Sequence, residues 1–139
     1  MTGPLSESST RWPEVRVSRK GEERLRSGHP WVFGDDLREV PGGLSAGQWA
    51  RVRSRSGEPL GTATINLGCR IALRRVSRED VEPTEAFLEK RLREAAARRA
   101  EAGMGGDRVL RVLYSEGDFL PGVIADRYGD VLSVQILTA

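Results

Sequence analysis

The sequence predicts an α+β fold in two parts. Short runs of alternating apolar and polar residues recur between turn signals from residue 14 to residue 76, a pattern typical of a compact β-barrel-like domain. A single longer helical period begins near residue 83 and is followed by further short strands, which predicts a helix packed on an antiparallel sheet. The chain has 139 residues, enough for one ordinary domain or two small ones.

The first part is predicted to contain short strands and one small helix. Ser18 can cap the helix, and Gly28 followed by Pro30 can end it. Turns rich in glycine and proline at residues 41–43 and 56–59 separate the later strands. The predicted helix is Arg19–Ser27, and the predicted strands are Glu14–Val17, Trp31–Phe33, Gln48–Arg55, Leu60–Ile65 and Arg70–Val76.

The second part is predicted to begin with a long helix from Pro83 to about Ala102. Its apolar side chains recur at helical spacing, and they are Phe87, Leu88, Leu92, Ala95 and Ala96. The glycine-rich stretch at 103–106 follows a helix and precedes a strand, the reverse of the order that nucleotide and S-adenosylmethionine sites need. We therefore interpret it as a helix terminator. Further strands are expected at Arg108–Tyr114 and, as a hairpin, at Val123–Asp126 and Val131–Leu137.

Composition excludes several classes of protein. No apolar run approaches the ~20 residues that a membrane-spanning helix requires, and residues 1–11 lack the basic-then-apolar pattern of a secretory signal, so we expect a disordered lead-in there. Cys69 cannot form an internal disulfide, which favours a reducing, cytoplasmic setting. Cys69 and His29 are also too few for a four-ligand zinc site. We expect Cys69 to be a buried thiol and His29 to serve in local hydrogen bonding or packing.

Charge is distributed unevenly along the chain. Residues 11–76 hold 13 basic and 7 acidic residues, a balance of +6, whereas residues 77–139 hold 9 and 12, a balance of −3. This asymmetry indicates that the first part meets a polyanion. Nearly all the positive charge is arginine, whose planar fork suits phosphates and bases, although a GC-rich genome would also favour arginine codons.

A predicted strand places a row of cations on one face. Trp49, Arg51, Arg53 and Arg55 alternate with the apolar Ala50 and Val52, so the three arginines are expected about 7 Å apart along the strand. Such spacing matches successive phosphates and predicts salt-dependent binding without sequence preference. A solvated outer sheet face would look the same, but Arg70, Arg74 and Arg75 on a neighbouring strand favour RNA.

The stretch from Asp118 to Asp130 groups three acids with an arginine and a tyrosine around a Pro-Gly turn. Paired carboxylates can perform acid–base chemistry. Beside turns, however, aspartate more often bonds to the local backbone, and we interpret this stretch as structural.

Three motifs carry a resemblance to a known family. They are R-L-R-S-G-H-P-W-V-F at residues 24–33, G-T-A-T-I-N at 61–66 continuing to R-R-V at 74–76, and E-G-D-F-L-P-G-V-I-A-D-R-Y-G-D at 116–130. In this order and spacing they resemble the bacterial and archaeal S-adenosylmethionine-dependent methyltransferases that make 5-methylcytosine in large-subunit ribosomal RNA. The departures are Leu67-Gly68-Cys69, where the family has Pro-x-Ser, and Phe119, where it has glycine.

The resemblance implies a domain organisation. Residues 12–77 would form a PUA domain, an RNA-binding pseudo-barrel, and residues 82–139 part of a central α/β domain. The catalytic domain, with the S-adenosylmethionine site and the cysteine nucleophile, would follow Ala139 in a longer protein. We therefore expect no catalytic residue, cofactor or metal in this chain, no membrane association, ribosomal RNA as the partner and a cytoplasmic location; a homodimer is left open.

Two sets of site residues follow from the motifs and the charge pattern. The expected RNA-binding residues are Lys20, Arg24, Arg26, His29, Trp49, Arg51, Arg53, Arg55, Arg70, Arg74 and Arg75. By resemblance, the residues expected to line or brace a substrate cleft are Asp118, Leu120, Pro121, Gly122, Asp126, Arg127 and Tyr128.

Two other functions are compatible with the sequence. One is a free-standing PUA-type RNA-binding adaptor without an enzyme half. The other is a self-sufficient enzyme that uses Cys69 or the carboxylates of Asp118 and Asp126. The reading frame past Ala139 would separate the adaptor from the methyltransferase part, and turnover that is lost in Cys69→Ser would support the self-sufficient enzyme.

Overall fold

The computed structural model describes residues 12–137, so the expected lead-in at residues 1–11 lies outside the described residues. Within 12–137, no helix is long and apolar enough to cross a membrane. The helices are α1 (Arg19–Arg26) and α2 (Glu85–Glu101). The strands are β1 (Glu14–Val17), β2 (Trp31–Phe33), β3 (Leu37–Glu39), β4 (Gln48–Arg53), β5 (Pro59–Ile65), β6 (Ile71–Ser77), β7 (Val109–Tyr114), β8 (Val123–Tyr128) and β9 (Val131–Ile136).

The first sheet curls around a small apolar core. Its strands lie in the order β2-β6-β5-β4-β1-β3, with β1 parallel to β4 and antiparallel to β3. Alternate residues of these strands point inward, and the core includes Val15, Val17, Val32, Ile65 and Leu73, which are fully buried. This arrangement confirms the predicted α+β class with a barrel-like first part.

Local signals determine the small helix as predicted. The Ser18 hydroxyl accepts from the backbone N–H of Gly21, which satisfies one of the helix's unpaired donors. Gly28 follows the helix with a φ of +98°, a conformation that glycine adopts without strain. The strand β3 was not predicted, because Leu37-Arg38-Glu39 holds a single apolar residue, whereas the equally short β2 is a continuous apolar run.

Strands β5 and β6 approach so closely that Gly61 has no room for a side chain. Its φ is +123°, and a Cβ atom built there would lie 2.1 Å from the carbonyl oxygen of Ser77. The register between the two strands shifts between Thr62 and Ala63. Glycine at this position therefore allows the tight pairing that curls the sheet.

The second sheet is antiparallel, in the order β7-β8-β9, which confirms the predicted helix-plus-antiparallel-sheet class. Its core consists of Ala95 from α2 with Leu113, Leu120 and Ala125, and it also takes in Val76 from the end of the first sheet. The two parts thus share apolar contacts. The glycine-rich stretch at 103–106 ends α2, as predicted.

The predicted apolar stripe of α2 is wrong in part. Ala95 is buried and Phe87 is half-buried, but Leu88, Leu92 and Ala96 are exposed. The inner face of the helix is completed instead by arginine side chains that donate to backbone and carboxylate oxygens. Long arginine stems can cover apolar surface in this way while their guanidinium groups bond.

Candidate nucleic-acid interface

The arginines expected as a free row on β4 are not all free, because two of them form ion pairs. Arg51 Nε lies 3.4 Å from Asp80 Oδ1, and Arg53 Nη2 lies 2.8 Å from Asp80 Oδ2 and 3.2 Å from Glu14 Oε1. The two arginine side chains are 33% and 15% exposed. Arg55 lies beyond the strand and is exposed. The structure therefore separates Arg55 from two cations that carboxylates neutralise.

Two further members of the expected surface point elsewhere. Trp49 packs against the core of the second part, so it does not extend the β4 row. Arg75 is buried, and its Nη1 donates to the carbonyl of Leu25 at 2.8 Å. Burial lowers the pKa of Arg75, and the neighbouring charge of Arg78 lowers it further.

Other cations expected from the sequence do come together beside α1. Lys20, Arg24 and Arg70 line one open cleft of about 370 Å³ with Phe33. The guanidinium carbons of Arg24 and Arg70 lie 4.8 and 5.8 Å from the centre of the Phe33 ring. Phe33 thus has two guanidinium groups within cation–π distance of one ring.

A second open cleft, of about 450 Å³, continues this surface. Lys20 and Asp36 line both clefts, so the two are contiguous. We name the combined surface the α1 basic surface; its cations are Arg19, Lys20, Arg24, Arg38, Arg55 and Arg70. Arg19 and Arg38 were missed by the sequence reasoning. Arg38 could not be found, because it lies on the unpredicted β3.

The acids of the α1 basic surface neutralise it in part. Asp36 is buried, accepts from the Ser18 hydroxyl at 3.0 Å and pairs with Arg24 at 2.9 Å, and Arg19 pairs with Glu23 at 2.9 Å. Within residues 12–137, no ion pair is recorded for the four remaining cations. Those cations are Lys20, Arg38, Arg55 and Arg70. They can therefore offer their charge to a ligand.

The other expected members of the first part make local contacts. Arg26 pairs with Glu22 at 2.9 Å and with Glu58 at 2.6 Å. His29 accepts from the backbone N–H of Trp31 through Nδ1 at 3.2 Å, and the two rings meet edge to face at 5.6 Å. The expectation of a local role for His29 agrees with these contacts.

Glu116 joins the two parts of the molecule. Its Oε1 accepts from Arg74 Nη1 at 2.7 Å and from Trp31 Nε1 at 3.2 Å. Burial raises the pKa of Glu116, but hydrogen bonds from Ser115, its own backbone, Arg74 and Trp31 outweigh burial, and the net pKa is lowered. Arg74 is therefore committed to this contact rather than to an open surface.

Asp118 is the most strongly held carboxylate in the expected substrate cleft. Its side chain is 4% exposed and accepts from Arg98 at 2.7 Å, from Arg99 at 2.7 and 2.9 Å and from the Tyr114 backbone N–H at 2.6 Å. Burial raises its pKa, but these bonds outweigh burial and lower the pKa to about 2. With every neighbour a donor to the charged form, Asp118 can brace the loop but cannot supply a proton near neutral pH.

The remaining expected cleft residues do not form one lining. Leu120, Pro121 and Gly122 are buried. Asp126 pairs with Arg111 at 2.8 Å, which lowers the pKa of Asp126. The guanidinium of Arg127 donates to the carbonyl of Asp107. Tyr128 is exposed on β8.

Cys69 is exposed, so the expected buried thiol is wrong. It lies in a tight turn in which the backbone N–H groups of Gly68 and Cys69 donate to Asn66, and that turn directs the side chain outward. In the described part of the chain, no group of three or more potential ligands could hold a metal ion.

Comparison with known proteins agrees with this architecture. Residues 15–78 match the family described as PUA-like domain. The chain is 32% identical over 120 residues to the ribosomal RNA large subunit methyltransferase I of Pseudoalteromonas translucida, covering 85% of this chain and 30% of the relative. It is 35% identical over 131 residues to the protein of the same name from Shewanella denitrificans, covering 88% and 32%.

A solved structure supports the fold. SMU.776, provisionally assigned as a methyltransferase and solved with SAH, superposes with a TM-score of 0.77 at 20% identity, covering 91% of this chain and 33% of that one. The chain thus spans about a third of the length of the relatives that it matches.

Proposed function

We propose that this chain is the RNA-binding part of a ribosomal RNA methyltransferase. In this proposal residues 12–77 are the PUA domain, residues 82–139 belong to a central domain, and the complete protein is cytoplasmic and methylates cytosine at C5. The α1 basic surface carries the proposal, because it combines an aromatic ring, Phe33, with four cations that form no ion pair among residues 12–137. The similarity to two ribosomal RNA methyltransferases supports the choice of RNA.

The chemistry of methyl transfer belongs, in this proposal, to another part of the protein. A site for S-adenosylmethionine needs a glycine-rich loop between a strand and a helix. The glycine-rich stretch at 103–106 instead joins the end of α2 to the start of β7, and Cys69 lies on an exposed turn. The residues described therefore do not fit the cofactor, and we assign them the binding and positioning of RNA.

The test is a salt titration of RNA binding. The variant Lys20→Ala/Arg70→Ala removes two cations of the α1 basic surface. The slope of log K against log salt is negative, and each lost phosphate contact is expected to reduce its magnitude by about 0.7 for single-stranded RNA. The double variant should therefore have a slope about 1.4 smaller in magnitude and bind more weakly at low salt. The control Arg93→Ala/Arg108→Ala removes the same charge from the second part and should leave the slope near that of the parent chain.

A third variant distinguishes this surface from the β4 row. Arg51→Ala/Arg53→Ala breaks ion pairs with Asp80 and Glu14, so it should change stability more than RNA affinity. If the magnitude of the salt slope decreases in this variant and not in Lys20→Ala/Arg70→Ala, the interface lies on β4. Methyl incorporation into ribosomal RNA by this chain, with labelled S-adenosylmethionine, would refute the assignment of catalysis to another part.

A further inference from the structure

A third cleft lies between the two parts of the molecule and shares no lining residue with the α1 basic surface. It has a volume of about 370 Å³, within the ~300–1,000 Å³ typical of small-ligand sites. One wall is formed by the end of β6 and the segment after it, the other by α2 and the loop that carries Phe119. Its charged residues are Arg75, Arg78, Lys90, Arg91 and Glu79. Arg91 pairs with Glu94 at 3.2 Å and donates to the carbonyl of Val76 at 3.1 Å, so Arg75, Arg78 and Lys90 are the cations that face Glu79.

The cations on the first wall repel one another. Arg75 and Arg78 are close enough for the charge of Arg78 to lower the pKa of Arg75, after the larger effect of burial. Within the part of the chain that the structure describes, neither has an ion-pair partner. On the opposite wall, the Lys90 side chain is 74% exposed, and its ammonium lies 4.0 Å from Glu94. An anion bound here would relieve the repulsion.

The loop presents an aromatic ring to the same cleft. Phe119 is 49% exposed, and the guanidinium carbons of Arg91 and Arg98 lie 5.4 and 5.8 Å from its centre. Its backbone is left-handed, with a φ of +59°. This conformation is strained for a bulky residue and persists only where the surroundings impose it. On either side of the strained bond, the backbone N–H of Phe119 donates to the carbonyl of Glu116 at 3.1 Å, and Asp118 is held by Arg98 and Arg99.

We propose that this cleft binds one unpaired nucleotide of an RNA strand, with the base stacked on Phe119 and a backbone phosphate between Arg78 and Lys90. The inference rests on the proposed RNA-binding function and extends the interface from the first part to the second. Any base can stack on an aromatic ring, and the cations bind the phosphate backbone. The cleft therefore selects single-stranded over paired RNA, since a paired base cannot leave its stack without cost.

The decisive variant is Phe119→Gly. Glycine adopts the left-handed conformation without strain, so thermal stability should not fall, while the stacking surface is lost. Affinity for a short fluorescein-labelled single-stranded RNA is expected to fall about tenfold or more, whereas affinity for the same sequence as a duplex should stay unchanged. Phe119→Tyr keeps a ring and should retain binding. Tyr114→Ala, at a comparably exposed aromatic on β7, should have no effect.

The outcomes separate this inference from the proposed function. If Lys20→Ala/Arg70→Ala weakens binding and Phe119→Gly does not, RNA binds the α1 basic surface alone and the inference is wrong. If Phe119→Gly weakens single-strand and duplex binding equally, the ring is not a stacking site. If the parent chain binds neither RNA at low salt, the proposed function itself fails.

Discussion

Replacement of Asp118 by asparagine should destabilise the second part in a pH-dependent way. The carboxylate is almost fully buried and accepts from Arg98, Arg99 and the Tyr114 backbone. These bonds hold its pKa at about 2 rather than 3.8. At about 1.4 kcal/mol for each unit of pKa, ionised Asp118 contributes about 2.5 kcal/mol to the free energy of unfolding at pH 7. We expect Asp118→Asn to lose at least that amount.

The sign of the pH dependence follows from the lowered pKa. The contribution is complete above pH 3.8, the ordinary value, and is lost as pH falls toward 2; linkage leaves roughly half of it at pH 3. Urea unfolding at pH 7 and pH 3 should therefore show a smaller difference between the parent chain and Asp118→Asn at pH 3. Asp126→Asn breaks a more exposed pair and serves as a control with a smaller loss. An equal deficit at both pH values for Asp118→Asn would refute the electrostatic explanation.

Two further predictions concern the fold. Gly61→Ala places a Cβ 2.1 Å from the Ser77 carbonyl oxygen, so it should separate β5 from β6 and lower the free energy of unfolding by about 2 kcal/mol or more. The control is Gly42→Ala, whose Cβ would meet no atom within 4 Å. Equal melting temperatures for the two variants would contradict the close approach of the strands. Glu116→Gln removes the charge that Arg74 and Trp31 bond to. It should speed amide hydrogen exchange in the loop before β8 while leaving the exchange of β5 unchanged. An equal change in exchange rate in both parts would show that Glu116 does not join them.

The elements that could be predicted are those with short-range causes. The α1 helix is capped by Ser18 and followed by the positive φ of Gly28, and both signals lie within the ten residues around it. The second helix and its glycine terminator were found for the same reason. By contrast, β3 exists because Leu37–Glu39 can pair with β1. The three residues of β3 contain no local signal that they pair with β1.

The candidate site was harder to predict, because charge pairing depends on the fold. The arginines at 51 and 53 have the right spacing for a polyanion, yet Asp80 reaches both from the segment after β6. Phe33 and Arg70 are far apart in the chain, and β2 pairing with β6 brings them together. The basic balance of the first part predicts which half of the chain meets RNA, but the strand pairings decide which of its arginines form no ion pair.

The cleft between the two parts depends on their docking, whereas the α1 basic surface does not. Arg78 belongs to one wall and Phe119 to the other; Glu116 and the shared core around Val76 hold those walls together. The loop that carries Phe119 also carries Asp118, which Arg98 and Arg99 hold. Stacking of a nucleotide therefore requires both the docked interface and the carboxylate clamp. Phosphate binding beside α1 requires only the first sheet. The affinity for single-stranded RNA should therefore depend on the folding of both parts, whereas the affinity for a duplex should depend only on the folding of the first part.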